Sequence, residues 1–369
     1  MNQRMTVVLS VVLLLFAQRV GVGDVPVENA DKLEKDVALA IDGGLRWLAS
    51  QQIKDGGAAG SWPSPKFPTA VTSLAGLAFL ANGHLPGKGP HGETVRRAME
   101  YVQSSMTSDG YAGSVGNSMY VHAICTLFAL SYLGMDGDTE KDDELADWCR
   151  KSIDLIVEAQ NVPKSQSEKG GWRYSPQTAE SDLSVTSWQL LVLHAARQCG
   201  YEIDDSVISY GMAYVNRGFM RTKDGKAGFV YRPGVSTVPE YGVTGTSVLL
   251  KSMFETQTDE KMADSLEYLQ EFEVGWGGAQ YRGFFFFSSL YLMQGFFQMG
   301  GDEYEDFRRR NWVLLVEHQD GDGHWPYPFN NAAERRGAGP AYPTTMSVLI
   351  LALDKQNLPA FQRQRSLFR

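Results

Sequence analysis

The stretch Val316–Pro328, VEHQDGDGHWPYP, reads as the end of a helix, a Gly-containing turn and then a Trp. The same wording recurs at 48–63, LASQQIKDGGAAGSWP, and at 157–176, VEAQNVPKSQSEKGGWRYSP. A segment repeated at a long, near-constant period marks a repeat architecture and has to be settled before any local reading.

The aromatic closing each turn is taken as Trp62, Tyr111, Trp172, Phe229, Trp276 and Trp325, with gaps of 49, 61, 57, 47 and 49 residues. Before each lies a stretch with apolar residues at spacings of three and four and charges between them, such as VRRAMEYVQSSM or MADSLEYLQEFE. That pattern predicts a helix with one wet face. After each comes a second stretch, apolar nearly all round, such as AVTSLAGLAFLANG, YVHAICTLFALSYLG or FFSSLYLMQGFFQMGG. Such a helix is buried on several sides, and several end in Gly, the usual left-handed stop. Six copies of outer helix, turn and inner helix predict an all-α fold, an (α/α)6 toroid of six inner and six outer helices. The six-fold count and the lack of atypical polar end repeats favour a closed ring over a solenoid.

The bulk numbers narrow the partners. Of 369 residues 43% are hydrophobic and 21% charged, enough apolar content for a large core. The net charge of −9 argues against a nucleic-acid partner, which requires clustered cations. The first residues, MNQRMTVVLSVVLLLFAQRVGVGDVP, place Arg4 before an apolar run at 6–16, too short for the ~20 residues of a membrane span. Gly21 and Gly23 precede Asp24, so residues 1–23 read as a cleaved signal peptide. The expected organisation is a toroid over 24–355 and a basic tail over 356–369, secreted or periplasmic, with no transmembrane segment after cleavage. The composition leaves the oligomeric state open. Cys125, Cys149 and Cys199 form no zinc motif. Cys149 and Cys199 fall at the same end of two antiparallel helices, where an oxidising compartment could join them.

Gln51 to Trp62, Gln160 to Trp172 and Gln319 to Trp325 resemble the Gln, Gly and Trp motif of the squalene cyclase and prenyltransferase repeat family. The resemblance spans most of the chain, with three clear copies and three degenerate ones. It implies the same toroid, in which the Gln ties an outer helix to its turn and the Trp braces neighbouring repeats. In the protein prenyltransferases the third inner helix opens with Asp-x-Cys, which holds zinc. In squalene-hopene-type cyclases it opens with Asp-x-Asp-Asp-Thr, which protonates an alkene. Here the residues are Asp182-Leu183-Ser184-Val185-Thr186. A serine hydroxyl is too weak an acid for the one reaction and too poor a ligand for the other. Neither metal nor cofactor is expected. The thioester domains of complement-type proteins share the fold, but GWGGAQ at 275–280 has no Cys.

The chemistry of a toroid belongs at the end where the inner helices begin, because their parallel N-termini favour anions there. Thr72, His122, Thr186, Thr244, Ser288 and Thr344 align near that mouth. Asp182, His122 and Tyr241 are the candidate catalytic residues. Arg173, Arg232 and Arg282, with Trp188 and Tyr120, are the candidate ligand-binding ones, and Phe284–Phe287 could line the cavity or plug it. The leading expectation is a toroid binding a small molecule or glycan in its central cavity: isoprenoid-like, anionic or sugar. The alternatives are a diverged cyclase, transferase or glycan lyase, or a structural scaffold.

The signal reading makes a direct prediction. N-terminal sequencing of protein from its native host should find Asp24 or a near neighbour first. Recovery of Met1 from a soluble cytoplasmic pool would remove the export expectation.

Overall fold

The computed structural model describes residues 27–113, 118–255, 259–358 and 362. The expected signal peptide and most of the basic tail lie outside the described residues. Six outer helices alternate with six inner ones. The outer helices are α1 (Val27–Gln51), α3 (Gly92–Ser104), α5 (Thr139–Gln160), α7 (Asp205–Arg217), α9 (Glu260–Gln270) and α11 (Gly301–Glu317). The inner helices are α2 (Pro68–Ala81), α4 (Ser118–Tyr132), α6 (Leu183–Gln198), α8 (Tyr241–Phe254), α10 (Phe285–Met299) and α13 (Ala341–Leu351). A short additional helix, α12 (Ala332–Ala338), precedes the last.

Each inner helix packs on the next, and α13 packs back on α2. The ring is therefore closed, as the six-fold repeat predicts. The two layers follow from hydrophobic patterning. In α2 every residue from Ala70 to Ala81 is buried, whereas α3 buries only Gly92, Val95, Ala98, Met99 and Val102, one stripe at helical spacing. Among the described residues the one β-sheet is in the fourth turn, a hairpin of β1 (Phe219–Arg221) and β2 (Ala227–Phe229).

The recurring segments hold the layers in register. Gln160 Nε2 donates to Gly170 O of its own turn at 2.8 Å and to Val207 O of the next outer helix at 2.9 Å. Gln319 Nε2 makes the same pair, to Gly323 O and to Ala40 O of α1, both at 2.8 Å, and so joins the sixth repeat to the first. In the first repeat the residue with this role is Gln52, bonded to Gly60 O and Thr94 O at 2.8 and 2.9 Å. Gln51, expected there, is exposed and bonds only its neighbour Ser50. Trp62, Trp172 and Trp325 are fully buried, and each indole donates to the last turn of its own outer helix, at Leu48, Ile156 and Leu315 O.

Gly170 and Gly323 sit at φ +92° and +99°, where a Cβ would run into Tyr210 O and Gly43 O of the next outer helix. Only glycine permits both the left-handed turn and that approach. In the second repeat Gly110 packs in the same way on Lys151 of α5, and the residue two beyond it is Ala112. Tyr111, read as the closing aromatic, is thus one position out of register. The expected Cys149–Cys199 bridge is absent: all three cysteines are free thiols, and Cys199 Sγ donates to Leu130 O at 3.6 Å.

Removing one brace should be costly. Trp172→Ala should lower stability by about 3–5 kcal/mol, the scale for deleting a large buried aromatic. Chemical denaturation reads the loss; a change under 1 kcal/mol would show that the Trp is not holding the layers together.

Candidate functional site

The first turns of all six inner helices meet around one cavity of about 560 Å³, lined by Ala70 and Val71, Tyr120 and Val121, Ser184, Gly242 and Val243, Phe287 and Ser288, and Tyr342. That volume is in the ~300–1,000 Å³ range of small-molecule sites. Deeper in, Leu74, Ile124, Trp188, Leu290, Tyr291 and Met346 also line it, and Tyr174, Tyr231 and Gln280 add polar groups. The rings pack closely: Phe287 and Tyr291 have centroids 4.5 Å apart, and Tyr120 and Trp188 6.0 Å. The phenylalanine run does not fill the space. Phe284 and Phe287 line it, while Phe285 and Phe286 turn into the core.

Four expected site residues come together here: Tyr120, Trp188, Tyr241 and Arg282. Tyr241 stacks on Tyr268 at 4.4 Å, and burial raises its hydroxyl above the usual tyrosine range. Arg282 Nη1 pairs with Glu240 Oε1 at 2.8 Å, and burial raises the Glu240 carboxyl against the pull of that arginine.

The other four lie outside the cavity wall. Asp182 caps α6: Oδ1 accepts from Val185 N at 2.9 Å and from Ser184 Oγ at 2.7 Å. Its second oxygen faces Arg173 Nε at 3.5 Å, and burial raises the carboxyl in spite of these partners. Arg173 also pairs with Glu180, and Arg232 reaches Glu168 and Glu180 at 3.2 and 3.1 Å. Arg173, before α6, and Arg232, between β2 and α8, are thus joined through Glu168 and Glu180 in one ion network.

His122 is fully buried between the layers. Its Nδ1 accepts from Ala112 N at 3.2 Å and its Nε2 sits 3.1 Å from Ser152 O of α5, which fixes the Nε2–H tautomer. At the aligned positions Thr72, Thr186, Thr244 and Thr344 accept from Trp62, Trp172, Phe229 and Trp325 N. The imidazole takes the hydroxyl's place in the second repeat, and burial pushes its pKa down to about 4, keeping it a neutral acceptor.

One lining residue had no signal in the sequence pattern. Glu334 on α12 is almost fully buried, and its carboxyl accepts from Phe287 N at 2.8 Å, Phe286 N at 3.2 Å, Tyr342 hydroxyl at 3.1 Å and the Asn331 side chain. A side chain from α12 therefore caps α10 from 47 residues away. Burial pushes its pKa up to about 7, with the four donors opposing the shift. No group of three or more His, Cys, Asp or Glu among the described residues is arranged to hold a metal ion.

No protein-family model matches this sequence, and no curated protein does. Solved structures do. The α-1,6-mannanase GH76A of Salegentibacter sp. HEL1_6 aligns over 86% of this chain and 98% of its own, with TM-score 0.56 and 10% identity. The type II terpene cyclase MstE of Scytonema aligns over 88% and 99%, with TM-score 0.56 and 13% identity. A family 76 glycoside hydrolase from a bovine Bacteroides thetaiotaomicron strain gives 87%, 77%, 0.57 and 10%. This chain has the α/α toroid fold of those enzymes. The likeness to the cyclase and prenyltransferase toroids holds at the level of the fold.

Glu334 should leave a pH signature. Its folded pKa of about 7 lies above the ordinary 4.5, so the stabilisation belongs to the protonated form. It is fully present below about pH 4.5 and is lost as the pH rises through 7, a change of about 3 kcal/mol. Unfolding free energies from pH 4.5 to 8 should therefore fall more steeply for the wild type than for Glu334→Gln. Parallel curves would show that Glu334 does not titrate in this window.

Proposed function

We propose that the chain is an exported ligand-binding toroid whose cavity takes an extended apolar molecule of isoprenoid type. The observation that carries this is the wall itself: Tyr120, Trp188, Phe287, Tyr291 and Met346 surround the space, and the charged lining groups Glu240, Arg282 and Glu334 are each already partnered. A chain of aromatic and aliphatic contacts favours a molecule that gains by leaving water, at about 25 cal/mol per Å² of apolar surface buried. A sugar chain would instead require several uncommitted hydrogen-bonding side chains.

The comparisons offer both ligand classes on this fold. MstE has been captured with geranylgeranyl dihydroxybenzoate as substrate, and the mannanase with α-1,6-mannotriose. The aromatic wall favours the first. Binding without turnover is the reading we adopt: of the three catalytic candidates, Asp182 and His122 are engaged in capping and turn bonds outside the cavity, and Tyr241, in its wall, is stacked on Tyr268 with its hydroxyl raised above the usual tyrosine range, while Ser184 is a poor acid.

Calorimetry on the full chain with farnesol and with α-1,6-mannotriose tests this. Farnesol should bind, and Trp188→Ala should weaken it by roughly 10-fold or more, the loss expected when a large aromatic contact of about 1.5–3 kcal/mol is removed. Binding of the trisaccharide without farnesol would reverse the assignment.

A further inference from the structure

The mouth of the cavity has the ingredients of an anion site, but the protein's own groups occupy them. Helix N-termini attract phosphate and carboxylate. At α10 the first amides, Phe286 N and Phe287 N, are taken by Glu334 at 3.2 and 2.8 Å. At α6 the equivalent place is filled by Asp182. Arg282, on the cavity wall, is neutralised by Glu240 at 2.8 Å. Arg173 and Arg232 face Glu180 and Glu168 outside it. An anionic head group entering here meets two carboxyls and, among the described lining residues, no uncommitted cation.

A turn deeper the situation is reversed. Trp188 Nε1 and the Tyr291 hydroxyl make no hydrogen bond of ordinary geometry, although the two residues are only 3% and 1% exposed and both line the cavity. Their rings are 6.2 Å apart; the Tyr120 side chain is a loose polar partner of both groups, and Thr246 is a second one of Tyr291. Buried donors held by such poor contacts are unfavourable, and a ligand oxygen placed among them would give each a better acceptor.

We infer that the ligand is a neutral, oxygen-bearing apolar molecule, with a hydroxyl or carbonyl held at Trp188 and Tyr291, and that the mouth rejects anionic head groups. This rests on the apolar-cavity reading and names the ligand class within it. A prenyl alcohol or ketone fits, whereas the corresponding diphosphate does not.

Three C15 probes separate the possibilities by calorimetry on the full chain: farnesol, farnesene and farnesyl diphosphate. Farnesol should bind at least 10-fold more tightly than either of the others. Trp188→Phe keeps an aromatic ring but removes the N–H, and should bring the farnesol to farnesene ratio towards one. Glu240→Gln releases Arg282 and should raise the diphosphate affinity by 10-fold or more, a gain that a misfolded variant cannot show. The inference fails if the native protein binds the diphosphate most tightly, or if farnesol and farnesene are indistinguishable while both bind. If none of the three binds, the apolar-cavity reading falls along with it.

Discussion

The structure depends on a primary amide with two donors. Each brace glutamine, Gln52, Gln160 or Gln319, gives one N–H to its own turn and one to the next outer helix. The bonds are short-range, but their consequence is not. They set the offset between consecutive repeats, and the glycines against the neighbouring backbone leave no room for it to drift. Among the described residues the tie is present in three of the six repeats, and in the last it brings Gln319 to Ala40, where the ring closes.

Closure gathers six helix N-termini at one end, which creates an electrostatic demand. The protein meets that demand from its own side chains. Threonine hydroxyls, and His122 in one repeat, accept the turn amides, while Asp182 caps α6 and Glu334 caps α10. The depressed pKa of His122 suits this role, since only a neutral imidazole has a free lone pair for the Ala112 amide. Polar residues near the mouth are thereby committed to structure, and the cavity is left with an aromatic and aliphatic wall.

Glu334 shows how burial and capping pull in opposite directions. Four donors favour its charged form, and the apolar surroundings oppose it. The balance puts its titration near neutrality, inside a cavity where no other carboxyl is buried so deeply. Its carrier, α12, is an extra helix outside the two-helix repeat, and it reaches a place that the repeat leaves open.

The toroid and its six-fold division were legible in the sequence, because helical spacing of apolar residues and recurrent Gly and Trp are local properties. Aromatic residues of the wall were visible there too, since Tyr120 and Tyr241 fall at the starts of buried helices and Trp188 one turn further in. Registers one residue apart were not: Gln51 and Gln52 are alike in composition, and only the bonds to Gly60 and Thr94 distinguish them. Tyr111 and Ala112 were separable only once Gly110 was seen against Lys151 and the Ala112 amide at His122. Arg173 and Arg232 looked like ligand cradles until Glu168 and Glu180 were brought beside them by folding. Periodicity reports which face of a helix is dry. Which polar groups are already satisfied is settled by residues far apart in the chain, and for that reason the closed ring was written in the sequence while the free and committed groups of its cavity were decided by tertiary structure.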